Sequence, residues 1–178
     1  AHALTEMGVG AGDRVATLAW NNAQHLELYY ALACLGAICH TINPRLHPDQ
    51  IAFIVNDAQD THLFFDTTFS PLIDAVSGRC PSVQGWFSLT GPDCVPDMKT
   101  EVSDYESLIS SKPDTFDWPE VDENAAMALC YTSGTKATPR ACSVPIEAPF
   151  CMPWVCRVVT GCSALRCLRH YRWCQCFM

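Results

Sequence analysis

Short apolar segments alternate with segments of helical periodicity along most of the chain. Apolar runs of about four to eight residues between Gly, Pro, Asn, Asp or Ser are typical of buried strands. We therefore predict strands over residues 13–20, 37–42, 61–65, 83–89 and 125–130. Apolar residues at spacings of three and four predict helices over residues 25–35, from 47 onward, over 68–76 and over 105–110. Surface loops rich in Pro and Asp are predicted over residues 91–102 and 111–123.

The order of these elements indicates the fold class. Strands that alternate with helices form βαβ units, whose crossovers make the strands parallel and cover both faces of the sheet. We therefore predict an α/β fold, a parallel sheet flanked by helices. Ligands of such folds bind beyond the carboxyl ends of the strands. The turn that follows the strand over residues 125–130 is thus a candidate binding site.

That turn carries a hydroxyl-rich sequence with one glycine, Thr132-Ser133-Gly134-Thr135. Gly134 has no Cβ to obstruct a tight turn, so backbone N–H groups and the Thr and Ser hydroxyls can converge on an anion. It is not a Walker A loop, because the chain contains no G-x-x-x-x-G-K-[ST] sequence. Hydroxyl-rich runs also occur in ordinary turns. These four residues are candidate phosphate-binding residues, with a structural turn as the alternative.

Composition limits the other function classes. The chain has 178 residues, of which 49% are hydrophobic, and can form one domain with a sizeable core. Its net charge of -8 argues against nucleic acid as a partner, because phosphate backbones are bound by clustered Lys and Arg. It has no apolar run long enough for a transmembrane segment and no signal-peptide pattern, so we predict a cytoplasmic location.

Several other conspicuous side chains are predicted to be structural. His25 and His47 flank predicted helix starts, where a capping or surface role is expected. Asp57 is expected to be solvated. Aromatic side chains in or next to the apolar segments are expected in the core or in an interface, among them Trp20, Phe64 and Phe65.

Tyr131-Thr132-Ser133-Gly134-Thr135 resembles the first half of the signature of the adenylate-forming (AMP-binding) enzymes, roughly Tyr-Thr-Ser-Gly-Thr-Thr-Gly-x-Pro-Lys-Gly. This superfamily includes acyl-CoA synthetases, luciferases and peptide-synthetase adenylation domains. Upstream segments agree with it in order and spacing, namely residues 10–16, 25–30, 36–37 and 43–46. Together they resemble the medium- and long-chain fatty acyl-CoA synthetase branch, and the resemblance covers residues 8–135.

The resemblance implies an enzyme with two half-reactions. A fatty acid carboxylate attacks the α-phosphorus of Mg-ATP, which gives an acyl-adenylate and pyrophosphate, and the thiol of coenzyme A then displaces AMP. ATP, Mg2+ and coenzyme A are thus the implied ligands. Thr132, Ser133, Gly134 and Thr135 would hold the β- and γ-phosphates. The family's adenine-binding segment, ribose-binding aspartate, hinge and catalytic lysine have no matching positions, so no catalytic residue and no metal ligand is assigned.

The resemblance also implies a much longer parent chain, in which residues 1–136 would be part of the N-terminal domain. The chain begins with Ala1 rather than Met, in agreement with this expectation. We therefore expect a fragment of an AMP-forming fatty-acid–CoA ligase (an acid–thiol ligase), with little or no activity of its own. The longer parent could form a homodimer. The alternative function is a noncatalytic α/β module that binds a nucleotide or a protein.

The family signature breaks off after Thr135. Residues 136–141 read Lys-Ala-Thr-Pro-Arg-Ala where the family has Thr-Gly-x-Pro-Lys-Gly. Codons read one base out of step can restore Gly-x-Pro-Lys-Gly-Val at this point. Over residues 170–178 the same shift can give Leu-Pro-x-Val-Pro-Met-Phe-His, with Leu or Val at x, which also resembles this synthetase branch. We interpret residues 137–178 as a frameshifted, Cys-rich tail without a native fold.

The composition of the tail agrees with that interpretation. The chain has 18 acidic and 7 basic residues up to residue 140, but 1 and 4 from residue 141 onward, where 7 of its 12 cysteines also lie. Two alternatives stay open. Pro139-Arg140 could replace Pro-Lys in a working loop, or the tail could bind a metal or form disulfides, although its spacings are not those of paired C-x2-C knuckles. Its soft ligands are Cys151, Cys156, Cys162, Cys167, His170, Cys174 and Cys176.

Overall fold

The structure is a computed structural model that describes residues 1–132 and 140–145. The strands in chain order are β1 (Arg14–Leu18), β2 (Ile38–Thr41), β3 (His62–Phe65), β4 (Gly85–Ser88), β5 (Ser103–Asp104), β6 (Ala126–Thr132) and β7 (Arg140–Pro145). The helices are α1 (His2–Glu6), α2 (Ala23–Cys34), α3 (Pro48–Ala58), α4 (Ser70–Val76) and α5 (Tyr105–Ile109). Short 3-10 turns lie at residues 67–69, 77–79 and 92–94.

The strands of the described residues form one sheet in the order β5-β4-β3-β1-β2-β6-β7. Neighbouring strands from β5 through β6 pair in parallel, and β7 pairs antiparallel with β6. β1 lies centrally, with Ala16 between His40 of β2 and Leu63 of β3. The predicted parallel sheet flanked by helices is confirmed. Because the parallel strands run the same way, β1, β2, β3 and β6 end at one edge, which we call the carboxyl edge.

Alternate residues of the strands supply two hydrophobic layers. The layer against α3 and α4 contains Ala16, Leu18, Ile51, Ile54, Val55, Leu63, Phe65, Ile73 and Val76. The layer against α1, α2 and α5 contains Leu4, Val15, Leu28, Leu32, Phe64, Phe87 and Tyr105. The predicted core positions of Phe64 and Phe65 are therefore confirmed. Both faces of the sheet are covered, as near-continuous apolar strands require.

Local sequence fixes the ends of the two longest helices. Asn22 caps α2, because its side-chain oxygen accepts a hydrogen bond from the His25 N–H at 2.8 Å. α2 ends before Gly36, whose φ of 72° lies in the left-handed region that glycine adopts without strain. α3 begins with a capping box formed by His47 and Gln50. The helix predicted over residues 25–35 is observed as α2, which begins and ends slightly earlier, and the helix predicted from residue 47 is α3, with His47 as its N-cap.

The structure differs from the predicted elements at both ends of the described chain. α1, with 5 residues, and β5, with 2, are too short to show a sequence period and were not predicted. β6 continues to Thr132, so the first residue of the candidate phosphate loop ends a strand. β7 falls inside the predicted tail, and residues 140–145 have a regular strand backbone there. The other residues of 137–178 lie outside the described residues, and the division at residue 136 stays a prediction.

Candidate functional site

The candidate phosphate loop begins at the carboxyl edge. β6 pairs with β2, and its last residue, Thr132, is paired with Arg140 of β7. Ser133, Gly134 and Thr135 lie outside the described residues, so their contacts with phosphate stay a prediction. The backbone that leads into the loop leaves a parallel strand at its carboxyl end, which is where ligands of α/β folds bind.

Tyr131, the residue before Thr132, joins β6 to α3. Its hydroxyl donates a hydrogen bond to Oδ2 of Asp57 at 2.6 Å, and its ring centroid lies 5.2 Å from that of His40. The side chain also packs against the hydrophobic layer under α3 and α4. Burial, and then the Asp57 carboxylate, raise the pKa of Tyr131, so the hydroxyl stays a donor at physiological pH. Asp57 is exposed, in agreement with the expectation that it is solvated, and it also has this specific partner.

A buried His–Asp pair lies beside Tyr131. His40 Nδ1 is 2.7 Å from Oδ2 of Asp60, and both side chains are completely buried. Burial raises the pKa of Asp60, and the hydrogen bond from His40 opposes that shift. His40 Nε2 and Asp60 Oδ1 have no hydrogen-bond partner among the described residues. The pair joins β2 to the turn before β3, and so ties together the two strands on either side of β1.

Trp20 and Thr68 meet at the carboxyl edge between β1 and β3. Trp20 Nε1 donates a hydrogen bond to Thr68 Oγ1 at 3.0 Å, and the Thr68 hydroxyl donates to Oδ1 of Asp66 at 2.6 Å. The chain leaves β1 toward α2 on one face and leaves β3 toward α4 on the other, a divergence that opens a ligand crevice in α/β folds. Trp20 is 51% exposed and therefore lies outside the core, where its ring contacts that of Phe69.

His25 supports this edge from α2. Its Nδ1 lies 3.2 Å from the carbonyl oxygen of Trp20, and its Nε2 lies 3.1 Å from Thr17 Oγ1. A neutral ring satisfies both contacts, because Nδ1–H donates to the carbonyl while Nε2 accepts from the hydroxyl. Burial lowers the pKa of His25, and the Trp20 carbonyl opposes that shift. His25 therefore has a structural role near the helix start, but as a partly buried residue of the first turn, since Asn22 and not His25 is the cap.

Acidification is expected to destabilise the protein through His25 and His62. Burial lowers the pKa of both side chains in the folded state, so the unfolded state binds protons more readily. Their stabilising contribution is complete above the unfolded pKa of about 6.5 and is lost as the pH falls through the lower folded pKa. The free energy of unfolding in urea should fall between about pH 7.5 and about pH 5. His25→Gln should reduce that slope, and an unchanged slope would contradict the prediction.

Within residues 1–132 and 140–145, no group of three or more His, Cys, Asp and Glu side chains is arranged to hold a metal ion. No helix in the described part of the chain is long and apolar enough to cross a bilayer. Complete burial raises the pKa of the Cys39 thiol to about 12, which keeps it protonated and unreactive.

Sequence patterns did not indicate the polar contacts beside the loop. Tyr131 and Asp57 are 74 residues apart, and His40 and Asp60 are 20 apart. A partial signal exists, because His40 interrupts an apolar strand and Asp60 stands just before another. Polar side chains at buried positions need partners. The sequence could have indicated that both residues are paired, but not with which partner.

Comparisons with known proteins agree with this geometry. The family described as AMP-binding enzyme matches residues 1–160. A 3-methylmercaptopropionyl-CoA ligase of Ruegeria lacuscaerulensis is 48% identical over 144 residues, which are 78% of this chain and 26% of that protein. A medium-chain-fatty-acid–CoA ligase of Ectopseudomonas oleovorans is 44% identical over 142 residues, which are 79% of this chain and 26% of that protein.

A solved structure shows the same fold. The anthranilate CoA ligase AuaEII, crystallised with anthranoyl-AMP, superposes with a TM-score of 0.75 and 24% identity over 83% of this chain and 27% of that chain. At this identity the likeness concerns the fold alone. The chain spans about a quarter of the length of the curated relatives that it matches. The range matched by the family includes residues 137–160 of the predicted tail.

Proposed function

The chain belongs to the AMP-binding enzyme family, and we propose that it is the N-terminal part of an ATP-dependent acyl-CoA ligase whose carboxylate substrate is a fatty acid. The ligase names of the relatives support the reaction class, and the share of those relatives that it spans supports the fragment. The observation that carries the proposal is the position of the signature Tyr131 to Thr135. It begins where a parallel strand of the sheet reaches the carboxyl edge.

The proposed role of Thr132, Ser133, Gly134 and Thr135 is to hold the β- and γ-phosphates of ATP. Backbone N–H groups and hydroxyls in a glycine turn would neutralise and align the leaving pyrophosphate, which is electrostatic stabilisation rather than nucleophilic catalysis. The pairing of β6 with β2 supports this role, because it holds the strand up to Cys130, two residues before Thr132, at the carboxyl edge. Mg2+ would accompany ATP, and no described residue is assigned to Mg2+ or to coenzyme A.

A medium-chain fatty acid is the proposed substrate, because the relative from Ectopseudomonas oleovorans is a medium-chain-fatty-acid–CoA ligase. The relative from Ruegeria lacuscaerulensis is named for a short thioether acid instead. Both acids are unbranched chains that end in a carboxylate, so the same adenylation chemistry serves either one. An assay of the activity therefore has to compare the two acids directly.

Little or no ligase activity is proposed for the chain itself. The family's adenine-binding segment, ribose-binding aspartate and catalytic lysine have no counterparts in its sequence. The changed sequence after Thr135 is proposed to result from a single-base frameshift near Lys136. Such a shift would remove the second glycine of the signature, and Ala137 in its place cannot adopt a positive φ cheaply.

Sequencing of the coding DNA from residue 129 onward, followed by ATP–pyrophosphate exchange, tests the proposal. We expect that one added base near the Lys136 codon restores Gly-x-Pro-Lys-Gly and opens a longer frame. The corrected protein should exchange pyrophosphate into ATP in the presence of octanoate, and 3-methylmercaptopropionate should be the poorer substrate. The chain with its present tail should show no exchange above background.

The opposite results separate the parts of the proposal. Confirmation of the present frame in transcript and protein would overturn the frameshift. Absence of exchange in the corrected protein with either acid would overturn the ligase. Saturable ATP binding without turnover would then favour the noncatalytic binding module.

A further inference from the structure

We propose that Tyr131 and Asp57 are positioning residues that hold the start of the phosphate loop against α3, a role that rests on the phosphate-binding function proposed above. The Tyr131 hydroxyl donates a hydrogen bond to Oδ2 of Asp57 at 2.6 Å. Tyr131 directly precedes Thr132 in the chain. The contact therefore fixes the last side chain before the loop to a helix on one face of the sheet.

β6 extends beyond its parallel neighbour at this point. The last pair between β6 and β2 joins Cys130 to Thr41. Tyr131 and Thr132 lie beyond that pair, where β6 is paired on the β7 side alone within the described residues. A strand end that is paired on one side opens more readily than one that is paired on both. The side chain of Tyr131 supplies a contact on the side where the parallel partner has ended.

α3 is a rigid support for this contact. A capping box closes its first turn, and its inner face buries Ile51, Ile54 and Val55 against the sheet. Asp57 lies in the last turn of the helix. Its carboxylate is therefore carried by a backbone that the hydrophobic layer holds in place. Groups on packed helices are positioned more accurately than groups on loops.

The Tyr131 side chain is held at its ring as well as at its hydroxyl. A hydrogen bond from a hydroxyl to a carboxylate at 2.6 Å is in the short range of charge-assisted bonds. The raised pKa of Tyr131 keeps the donor protonated. The neighbouring His40 ring, 5.2 Å away between centroids, is itself fixed by its bond to Asp60. Two independent contacts therefore restrict the residue that leads into the loop.

Restriction of this residue matters because phosphate donors act through their positions. A displacement of about 1 Å can remove much of the effect of a binding group. A binding group that is already held in position also loses less conformational freedom when a ligand binds. Loss of the Tyr131–Asp57 bond is therefore expected to weaken Mg-ATP binding about tenfold. A factor of this size corresponds to the free energy of one charge-assisted hydrogen bond.

The test compares Tyr131→Phe, Asp57→Ala and the double variant in the 178-residue chain. Tyr105→Phe is the matched control, because Tyr105 donates to Oε2 of Glu27 at 2.8 Å on the opposite face of the sheet. Alanine at position 57 favours the helix, so a loss at β6 cannot result from a weaker α3. Hydrogen exchange of the β6 amides measures how firmly the Tyr131–Asp57 contact, which we call the anchor, holds the end of β6 without ligand. Titration with Mg-ATP measures the effect of the anchor on ligand binding.

We expect amide protection over residues 130–132 to fall about tenfold in each single variant and no further in the double variant. Affinity for Mg-ATP should fall about tenfold in the same variants and stay within about twofold in the control. Equal loss of protection in all strands, or additive losses in the double variant, would overturn the anchor. A wild-type chain that binds no Mg-ATP would overturn the phosphate-binding proposal for this chain, and the exchange result would then decide the anchor alone.

Discussion

Replacing Asp60 by alanine is expected to lower the free energy of unfolding by about 3 kcal/mol. Asp60 and His40 are both completely buried, and their Oδ2 and Nδ1 atoms are 2.7 Å apart. The substitution leaves the Nδ1 side of the His40 ring in the core without its acceptor. An unpaired buried polar group costs more than the net contribution of the hydrogen bond that it lost. Urea denaturation of the full chain in reducing buffer, followed by circular dichroism, measures the change.

The matched control is Asp49→Ala on α3. Asp49 forms an ion pair with Arg79 at 2.8 Å, but its side chain is 66% exposed. Its removal should change the free energy of unfolding by less than about 1 kcal/mol. A double replacement of His40 and Asp60 by leucine should cost less than Asp60→Ala alone, because it leaves no polar group of the pair buried without a partner. A loss below about 1 kcal/mol for Asp60→Ala would contradict the prediction.

The buried pair also connects the core to the candidate site. Asp60 binds His40, the His40 ring contacts the Tyr131 ring, and the Tyr131 hydroxyl binds Asp57. These contacts run from the turn before β3, through β2, to the end of β6 and back to α3. The polar groups thus bridge the elements that surround the start of the phosphate loop. The burial of His40 and Asp60 makes their contact costly to break, and this cost favours one fixed arrangement of the pair.

The main strands of the sheet could be predicted from the sequence. Each of them is a short apolar run between turn residues, because the helices bury both faces of the sheet. The strand predicted over residues 61–65 is observed as β3, His62–Phe65, and the one predicted over 37–42 contains β2, Ile38–Thr41. The end of α2 could be predicted because Gly36 is a local signal. α1 and β5 could not, because segments of 5 and 2 residues are shorter than the patterns that identify helices and strands.

The candidate site divides in the same way. The loop could be located from the sequence because its chemistry resides in consecutive residues, Thr132 to Thr135. The contacts that hold it could not be predicted, because they depend on how α3 crosses the sheet between β2 and β3. The order of the strands in the sheet could not be predicted from hydrophobic periodicity either. β6 pairs with β2 rather than with β5, the strand that precedes it in the chain. Periodicity gives the elements but not the pairing of elements that are distant in sequence.

Replacing Phe64 by alanine is expected to lower the free energy of unfolding by about 4 kcal/mol. Phe64 is 1% exposed, and its ring stacks on that of Phe87 with centroids 4.7 Å apart. The ring lies in the layer against α1, α2 and α5, where three helices and the sheet cannot all close on the space that it leaves. The cost therefore includes a cavity in addition to the lost burial of the ring. Urea denaturation measures it under the same conditions as Asp60→Ala.

The same substitution at Phe53 is the control, because Phe53 lies on α3 and is 45% exposed. Phe53→Ala should change the free energy of unfolding by no more than about 0.5 kcal/mol. The substitution at an exposed helix position removes little buried surface, and alanine favours the helix. Equal losses at Phe53 and Phe64 would contradict the prediction. Phe64 lies in the layer opposite to the Tyr131–Asp57 contact. Phe64→Ala should therefore lower global stability without a selective loss of amide protection at the end of β6. This result would distinguish a residue that supports the whole fold from residues that position the loop.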